Sequence, residues 1–407
     1  MDKKALVIGL GISGRASVEF LLQKGFQIVA VDAKAKSLAS DSEVQRFRSL
    51  GVEVYLDSYP IDFSLVQLVV PSPGVPPTHP LFAKAASLQI EIIGEAELAF
   101  RHMKQKAVAI SGTNGKTTVT LLVEHILNAS GYKARALGNV GTPLTKYFLE
   151  PDPNEIVIAE LSSYQLETMQ TAVFDSAVIL NITPDHLDRY TSMDEYAEAK
   201  ARLQYCVKEP SSLYLFSRIA EEYPHLFRRS FTTFGSVNSA SIRIKDGSIL
   251  QNEAVEYLLP VGYREKGMHD CLNALAAWIL CRDLGVRTEQ FLQHLQTFRK
   301  PSHRIEFVRS IRGVQYFDDS KGTNIDAVIQ AVGAMKGPVV LIAGGVDKGS
   351  SYLPWIESFS GKVKQILAIG QASEKIQREL GLFFNVKIVD SLAIAVDEAS
   401  ALALPGD

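Results

Sequence analysis

Residues 107–118 read AVAISGTNGKTT, an apolar run that passes through a glycine-rich turn into a helical pattern. Small residues in such a turn let backbone N–H groups surround phosphate oxygens. Lys116 can neutralise the charge of the β- and γ-phosphates, and the Thr117 hydroxyl can ligate Mg²⁺. Position 110 is Ile, where the eight-residue P-loop pattern has its first Gly. The stretch therefore predicts an ATP site on a P-loop-like turn between a strand and a helix.

Alternating strand and helix patterns extend from this turn in both directions. Apolar runs predict strands at 5–10, 26–31, 52–56, 65–70, 107–110, 156–161, 177–182, 314–317, 339–343, 365–369 and 387–389. A chain of 407 residues fits two to three domains of roughly 150 residues each. We therefore expect an α/β protein with three α/β domains in series. They are a Rossmann-like domain at 1–93, a central ATP-binding domain at 94–299 and a second Rossmann-like domain at 300–407.

The composition excludes several classes of protein. Hydrophobic residues make up 46% and charged residues 21%, which is unlike a disordered chain. A net charge of −3 argues against a nucleic-acid partner. No apolar run is long enough to predict membrane insertion. The three cysteines have neither metal-ligand spacing nor an even number, which indicates reduced thiols and a cytoplasmic location.

A second glycine turn lies near the start of the chain. Residues 9–14 read GLGISG, the G-x-G-x-x-G pattern, between a predicted strand and a predicted helix. Such a turn brings an anion to free N–H groups at a helix N-terminus. Asp32 ends the following strand, where a ribose-binding acid would lie in a dinucleotide fold. The residues alone leave a dinucleotide, another nucleotide and a structural turn open.

Six further strings accompany the turn at 112–118. They are GNVG at 138–141, ELSSYQLE at 160–167, NITPDHLDR at 181–189, HRIE at 303–306, DDSKGTN at 318–324 and AGGVDK at 343–348. Together they resemble the Mur ligase family, the ATP-dependent amide ligases of peptidoglycan precursor synthesis. The resemblance implies that ATP phosphorylates the carboxylate of UDP-N-acetylmuramoyl-L-alanine and that D-glutamate attacks the acyl phosphate. It also implies two Mg²⁺ ions, and a uridine nucleotide at the first glycine turn.

The resemblance assigns roles to residues of this chain. Catalytic roles fall to Lys116, Asn139, His186 and Lys200. ATP contacts fall to Gly112, Thr113, Asn114, Gly115, Lys116, Thr117, Thr118, Asn273, Arg304 and Asp319. Contacts to the UDP substrate fall to Ile12, Ser13, Gly14, Asp32, Ala33, Ser72, Gly74, Asn139, Ser162 and Gln165. Amino-acid contacts fall to His186, Lys321, Thr323 and Lys348. Metal ligation falls to Thr117, Glu160, His186 and carbamylated Lys200.

Each residue also has an ordinary interpretation. Glu160 could be a strand-end acid in solvent, and a lysine on a helix, such as Lys200, is usually a solvated charge. Ser192 and Glu195 have the spacing of a capping box, which predicts a helix that contains Lys200. Arg304 and Asp319 could be ordinary turn residues.

Alternative functions follow from the same motifs. A different Mur-type ligase or a folylpolyglutamate synthase-like enzyme would use the turn at 112–118, but the latter usually begins at its ATP-binding domain. An NAD-dependent oxidoreductase would explain residues 1–93 and leave Lys116 without a role. A nucleotide-binding regulatory module without chemistry is a third class. For the ligase we expect only small-molecule partners and a monomer.

Two features depart from the family pattern. Residues 269–273 read HDCLN, where relatives commonly have H-N-x-x-N, so Asn273 is retained and Asp270 replaces an asparagine. The sequence ends at Leu404-Pro405-Gly406-Asp407, without the strand and the serine-containing segment that the resemblance implies next. From this pattern we expect a truncated C-terminal domain that uses D-glutamate poorly.

Overall fold

The computed structural model describes residues 3–34, 38–57, 61–251, 254–264 and 267–407. Its contacts divide the chain into two compact units. The first comprises residues 1–181, 197–264 and 272–298, and the second comprises residues 182–196, 265–271 and 299–407. Cys206, Cys271 and Cys281 form no disulfide among the described residues. None of the helices found among the described residues combines the length and the apolar character that crossing a bilayer requires.

The first sheet of the first unit is wholly parallel. Its strands are β1 (Lys4–Ile8), β2 (Gln27–Asp32), β3 (Glu53–Leu56), β4 (Val66–Pro71) and β5 (Glu91–Ile92), in the order β3-β2-β1-β4-β5. Its helices are α1 (Ile12–Gln23), α2 (Ser42–Ser49) and α3 (Pro80–Ser87). Four successive residues of β1 are buried, as a strand covered on both faces requires.

A second sheet in the same unit has nine strands. They are β6 (Ala107–Ser111), β7 (Ala134–Gly138), β8 (Ile156–Glu160), β9 (Ser176–Ile179), β10 (Leu213–Phe216), β11 (Thr232–Gly235), β12 (Ile242–Lys245), β13 (Ser248–Gln251) and β14 (Ala254–Leu258). The order is β14-β13-β12-β11-β10-β9-β6-β8-β7. Only the β12–β13 and β13–β14 pairs are antiparallel. Because β6 lies between β8 and β9, the turn after it opens at the carboxyl edge of a central strand, where α/β sheets bind ligands.

The helices along this part of the chain connect or cover the strands. They are α4 (Glu95–Phe100), α5 (Lys116–Ala129), α6 (Leu144–Tyr147), α7 (Ser163–Leu166), α8 (Met193–Ala201), α9 (Ser217–Glu222), α10 (Val261–Arg264), α11 (Met268–Asp283) and α12 (Thr288–Leu295). Short 3₁₀ turns occur at 63–65, 202–205, 210–212 and 224–226.

The second unit contains an antiparallel hairpin and a parallel sheet. The hairpin is β15 (Glu306–Ile311) with β16 (Val314–Asp318), and the sheet is β17 (Val339–Gly344), β18 (Val363–Ile369) and β19 (Val386–Ile388). Its helices are α13 (Ile325–Ala334), α14 (Pro354–Phe359), α15 (Ser373–Leu380) and α16 (Leu392–Leu402). A core cluster joins α13, α14 and α15 to β18.

The predicted α/β class is confirmed, and the strands predicted from apolar runs occur within a few residues of their expected bounds. The prediction missed β5, β7, β15 and the five strands between β9 and β15. Those five strands, β10 to β14, have four or five residues each, and β12 alternates apolar with polar residues instead of forming a continuous apolar run. Short runs of this kind are poorly distinguished from loops.

The buried carboxylate of Glu97 connects α4 to the backbone at residues 170 and 171 of the same unit. Glu97 accepts hydrogen bonds from the backbone N–H groups of Gln170 (2.8 Å) and Thr171 (3.1 Å) and from the Thr171 hydroxyl. The Arg101 guanidinium also donates to it at 2.8 Å. Burial alone would raise the pKa of Glu97, but these hydrogen bonds outweigh burial and lower it. The protein itself supplies hydrogen-bond donors to the Glu97 carboxylate. Glu97 is therefore ionised and has a structural role.

We expect Glu97→Ala to lower the free energy of unfolding by about 3 kcal/mol, because two backbone N–H groups, the Thr171 hydroxyl and the Arg101 guanidinium lose a buried acceptor. Urea titration followed by circular dichroism measures the change. Glu91→Ala is the matched control, since Glu91 also pairs with Arg101 (2.7 Å) but its side chain is 47% exposed. The control should cost less than about 1 kcal/mol. Equal losses in the two variants would contradict this assignment.

Candidate active site

The turn after β6 is hydrogen-bonded to an asparagine that follows β9. Asn181 Oδ1 accepts hydrogen bonds from the backbone N–H groups of Thr113 (3.1 Å) and Asn114 (2.8 Å). Its Nδ2 donates to the Asn114 carbonyl at 3.0 Å. Asn181 lies in the string at 181–189, and no role was predicted for it. Its position two residues after β9, a strand that pairs with β6, was the signal that could have found it.

Lys116 begins α5 and folds back over the turn. Its Nζ donates to the carbonyl oxygens of Gly112 and Thr113, both at 2.8 Å. The ammonium group is therefore held by the loop itself, beside the N-terminus of α5, where a phosphate group gains from both the cation and the helix dipole.

Asn273 meets the same turn from α11. Gly115 has a φ of +86°, and a Cβ atom placed on it would lie 2.7 Å from Asn273 Oδ1. Position 115 therefore requires glycine for its backbone conformation and for its space. Within the first unit, the structure brings Asn273 to the predicted phosphate-binding turn.

Lys200 is buried, with 1% of its surface exposed. Its Nζ donates to the Gly112 carbonyl at 2.9 Å, so Lys116 and Lys200 share one acceptor. The expectation of a solvated lysine is wrong, because this side chain points into the protein. Two ammonium groups held within a few ångströms of each other repel, and an anion or a change of charge on one lysine relieves that repulsion.

The helix that carries Lys200 is α8, which begins at Met193. Its predicted capping box forms only in part. Ser192 Oγ accepts from the Glu195 N–H at 3.1 Å, but the Glu195 carboxylate accepts from the N–H of Thr191 instead of Ser192.

Glu160 ends β8 and is 1% exposed. Its Oε1 accepts from Asn139 Nδ2 at 2.8 Å, while its Oε2 has no hydrogen-bond partner among the described residues. Strand pairing places Glu160 opposite Ile110, two residues before Gly112. A buried carboxylate oxygen without a donor is costly, and a hard cation is a suitable partner for it. Glu160 therefore fits a Mg²⁺ ligand, and its role as one stays a prediction.

The first glycine turn is hydrogen-bonded to residues at the carboxyl ends of two other strands of the first sheet. Asp32 Oδ2 accepts from the Leu10 N–H at 2.6 Å, and Ser72 Oγ donates to the Gly9 carbonyl at 2.9 Å. A Cβ atom on Gly14 would overlap the Gly9 carbonyl. The residues predicted for the UDP substrate in this sheet all follow the carboxyl ends of β1, β2 and β4: Ile12, Ser13, Gly14, Asp32, Ala33, Ser72 and Gly74.

Ser162 and Gln165 bond to each other in a capping box at the start of α7. Ser162 Oγ accepts from the Gln165 N–H at 3.3 Å, and Gln165 Oε1 accepts from the Ser162 N–H at 3.0 Å. The structure thus gives both residues a local structural role, and their contact with the UDP substrate stays a prediction.

In the second unit, three motif strings meet at Asp185, which is 5% exposed. Its carboxylate accepts from Lys348 Nζ and from Asn324 Nδ2, both at 3.3 Å. The neighbouring His186 has a φ of +57°, an uncommon conformation for a residue other than glycine. Asp185 and Asn324 received no role from the sequence, yet they connect the string at 181–189 with those at 318–324 and 343–348.

The other predicted residues of this unit lie around the hairpin. Asp319 Oδ1 accepts from the Ile305 N–H at 3.0 Å, and burial raises the pKa of the Asp319 carboxyl. Arg304 lies within the same turn, whereas Lys321 and Thr323 are exposed. The roles of Arg304, Lys321 and Thr323 stay predictions. Asp270, which departs from the family pattern, pairs with Lys300 at 2.7 Å.

Comparison with known proteins covers nearly the whole chain. Residues 3–94 match the Mur ligase MurD-like N-terminal domain, residues 110–281 the Mur ligase middle domain, and residues 303–407 the Mur ligase glutamate ligase domain.

Two curated relatives are both named UDP-N-acetylmuramoylalanine–D-glutamate ligase. The protein from Protochlamydia amoebophila is 47% identical, with 100% of this chain and 91% of that protein covered. The protein from Caldanaerobacter subterraneus is 36% identical, with 100% and 92% covered. The crystal structure of MurF from Acinetobacter baumannii shares the fold, with a TM-score of 0.61, 17% identity and coverage of 97% and 86%. With three α/β domains of this type in series, the chain belongs to the Mur ligase family.

Proposed function

We propose that this chain is an ATP-dependent ligase that joins D-glutamate to UDP-N-acetylmuramoyl-L-alanine during peptidoglycan precursor synthesis. The observation that carries the chemistry is the shared Gly112 carbonyl, which holds the Lys116 and Lys200 ammonium groups at one turn. The two relatives named for this activity support the choice of substrates.

The reaction must activate a carboxylate, which is a poor electrophile. The carboxylate of the L-alanine residue attacks the γ-phosphorus of ATP, and ADP leaves with the electrons of the broken bond. The amine of D-glutamate then attacks the acyl carbon, loses a proton and expels inorganic phosphate. Lys116 stabilises the charge that develops on the phosphoryl oxygens, which is the dominant contribution in phosphoryl transfer. Asn139 and His186 are also proposed to be catalytic.

Two Mg²⁺ ions are part of this proposal. Glu160, whose buried Oε2 has no donor among the described residues, and Thr117 would hold one ion. Carbamylated Lys200 would hold the other, and His186 stays a predicted metal ligand. When bound, the ions neutralise phosphate charge and favour attack on the γ-phosphorus.

We assign a principal substrate to each part of the chain. Residues 1–93 bind the UDP group through the turn at 9–14, and residues 94–299 bind ATP. Residues 300–407 bind D-glutamate, with Lys321, Thr323 and Lys348 facing its carboxylates and Arg304 and Asp319 contacting ATP. The protein is proposed to act as a cytoplasmic monomer on small molecules, without a nucleic-acid partner.

The alternative functions explain less of the molecule. An NAD-dependent oxidoreductase would use the first sheet and would leave the Lys116 turn, Glu160 and Lys200 without a purpose. A folylpolyglutamate synthase-like enzyme would use that turn and has no need of the turn at 9–14. Saturable NADH binding that a uridine nucleotide fails to displace would favour the oxidoreductase.

The direct test is phosphate release from ATP with UDP-N-acetylmuramoyl-L-alanine and each candidate amino acid. We expect Mg²⁺-dependent release with D-glutamate, and a loss of roughly 100-fold or more in Lys116→Ala. Lys133→Ala is a matched control, since Lys133 is an exposed lysine paired with Asp152. Release that depends on another amino acid, or an unaffected Lys116 variant, would refute the proposal.

The turn geometry predicts the effect of a single methyl group. Gly115→Ala should raise the Kd for ATP by about tenfold or more, because its Cβ would displace Asn273 beside the turn. Gly131→Ala is the control, with a φ of +89° and open space around its Cβ position. Calorimetric titration with ATP measures both variants. Similar ATP affinity in the two variants would contradict this prediction.

Lys200 allows a test of the proposed carbamate. A lysine ammonium has a reference pKa near ~10.4 and would repel Mg²⁺, whereas a carbamate offers anionic oxygen ligands. Lys200→Ala should lose turnover and regain part of it when a short carboxylic acid is added. Near-normal turnover in the alanine variant would contradict this role.

A further inference from the structure

Helix α15 holds both ends of the loop that carries Lys348. On one side, Lys375 Nζ lies 3.3 Å from the Asp347 carboxylate and donates to the Ser350 carbonyl at 2.9 Å. On the other side, Glu379 Oε2 accepts from the Tyr352 N–H at 2.7 Å and from Ser351 Oγ at 3.1 Å. Lys375 and Glu379 are four residues apart, so they lie on one face of the helix.

An adjacent face of α15 is fixed in the core. Ile376 and Leu380 are fully buried in the cluster that contains Trp355 and Phe359. The Tyr352 ring packs against Trp355 with centroids 5.0 Å apart, and Lys375 Nζ lies 5.8 Å from the Tyr352 ring centroid. Helix α15 is therefore fixed against the core, and the side chains of Lys375 and Glu379 hold the loop to this helix.

Lys348 lies in the loop between these two sets of contacts, and its own side chain is only partly fixed by contacts. Its side chain is 33% exposed, and Asp185 is 3.3 Å from its Nζ. Asp347, the preceding residue, accepts from the Gly349 N–H at 3.1 Å while contacting Lys375. The backbone on both sides of Lys348 is thus set by Asp347, and Asp347 is set by α15.

We propose that Lys375 and Glu379 are positioning residues for Lys348, and that they act on the binding of the amino-acid substrate without touching it. This inference rests on the proposed function, in which Lys348 faces a carboxylate of D-glutamate. An ammonium group binds a carboxylate strongly only at hydrogen-bond distance. A loop that moves by an ångström therefore weakens capture of the amino acid, while the phosphate-binding turn after β6 is unchanged.

The experiment measures KM for D-glutamate, KM for ATP and kcat in Glu379→Ala, Glu379→Gln and Lys375→Met. Glu379→Ala should raise KM for D-glutamate about tenfold or more, with KM for ATP within about twofold of the parent chain. Glu379→Gln keeps an oxygen acceptor and should restore most of the affinity. Lys375→Met keeps the apolar stem and should act in the same direction as Glu379→Ala.

Glu374→Ala is the matched control, because Glu374 is exposed on the same helix. It should leave all three constants unchanged. Hydrogen exchange of the 345–352 amides, expected to quicken in Glu379→Ala, reports on the loop independently of turnover.

The outcomes separate this inference from the proposed function. If the parent chain does not use D-glutamate, the proposed function fails and the inference fails with it. If the parent chain uses D-glutamate and the α15 variants raise both KM values equally, or lower only thermal stability, the positioning role alone is overturned. Faster exchange with an unchanged KM for D-glutamate also overturns it.

Discussion

The Gly112 carbonyl oxygen accepts hydrogen bonds from two lysine side chains, and the first unit is organised to make that arrangement possible. Lys116 reaches it from the start of α5, and Lys200 reaches it from α8. The carbonyl is available because β6 is a central strand whose ladder ends at Ser111, one residue earlier. The sheet order therefore determines which side chains can reach the turn.

Two lysine side chains at one carbonyl concentrate positive charge at this turn. Two ammonium groups a few ångströms apart in a partly desolvated turn repel more strongly than they would in water. The phosphates of a bound nucleotide would oppose that charge, and carbamylation of Lys200 would reverse the charge of one partner. Both changes relieve the repulsion, and both belong to the chemistry proposed for the site.

Much of this arrangement could be predicted from the sequence, because the determinants are local. The turn at 112–118, the strand that precedes it and the acid at the end of β8 are each specified within a few residues. The contacts that join distant segments could not be predicted in this way. Asn181 under the turn, Asp185 against Lys348, and Glu379 against Tyr352 depend on how strands and helices pack. Lys200 shows the limit most clearly, since its burial depends on the tertiary position of α8 and not on its neighbours in sequence.

Two buried glutamates of the first unit differ in how completely their carboxylates are hydrogen-bonded. This difference distinguishes a structural residue from a functional one. Glu97 accepts from two backbone N–H groups, a hydroxyl and a guanidinium, so the folded protein already stabilises its charge. Glu160 accepts from Asn139 through one oxygen, and within the described chain its other oxygen has no donor. A fold gains nothing from leaving a buried carboxylate oxygen unsatisfied, because the desolvation cost is paid without compensation. Such an oxygen calls for a partner from outside the chain, and a bound cation also matches the charge of the carboxylate. The unsatisfied oxygen of Glu160 is therefore a stronger physical argument for a metal ligand than its burial or its place in a motif.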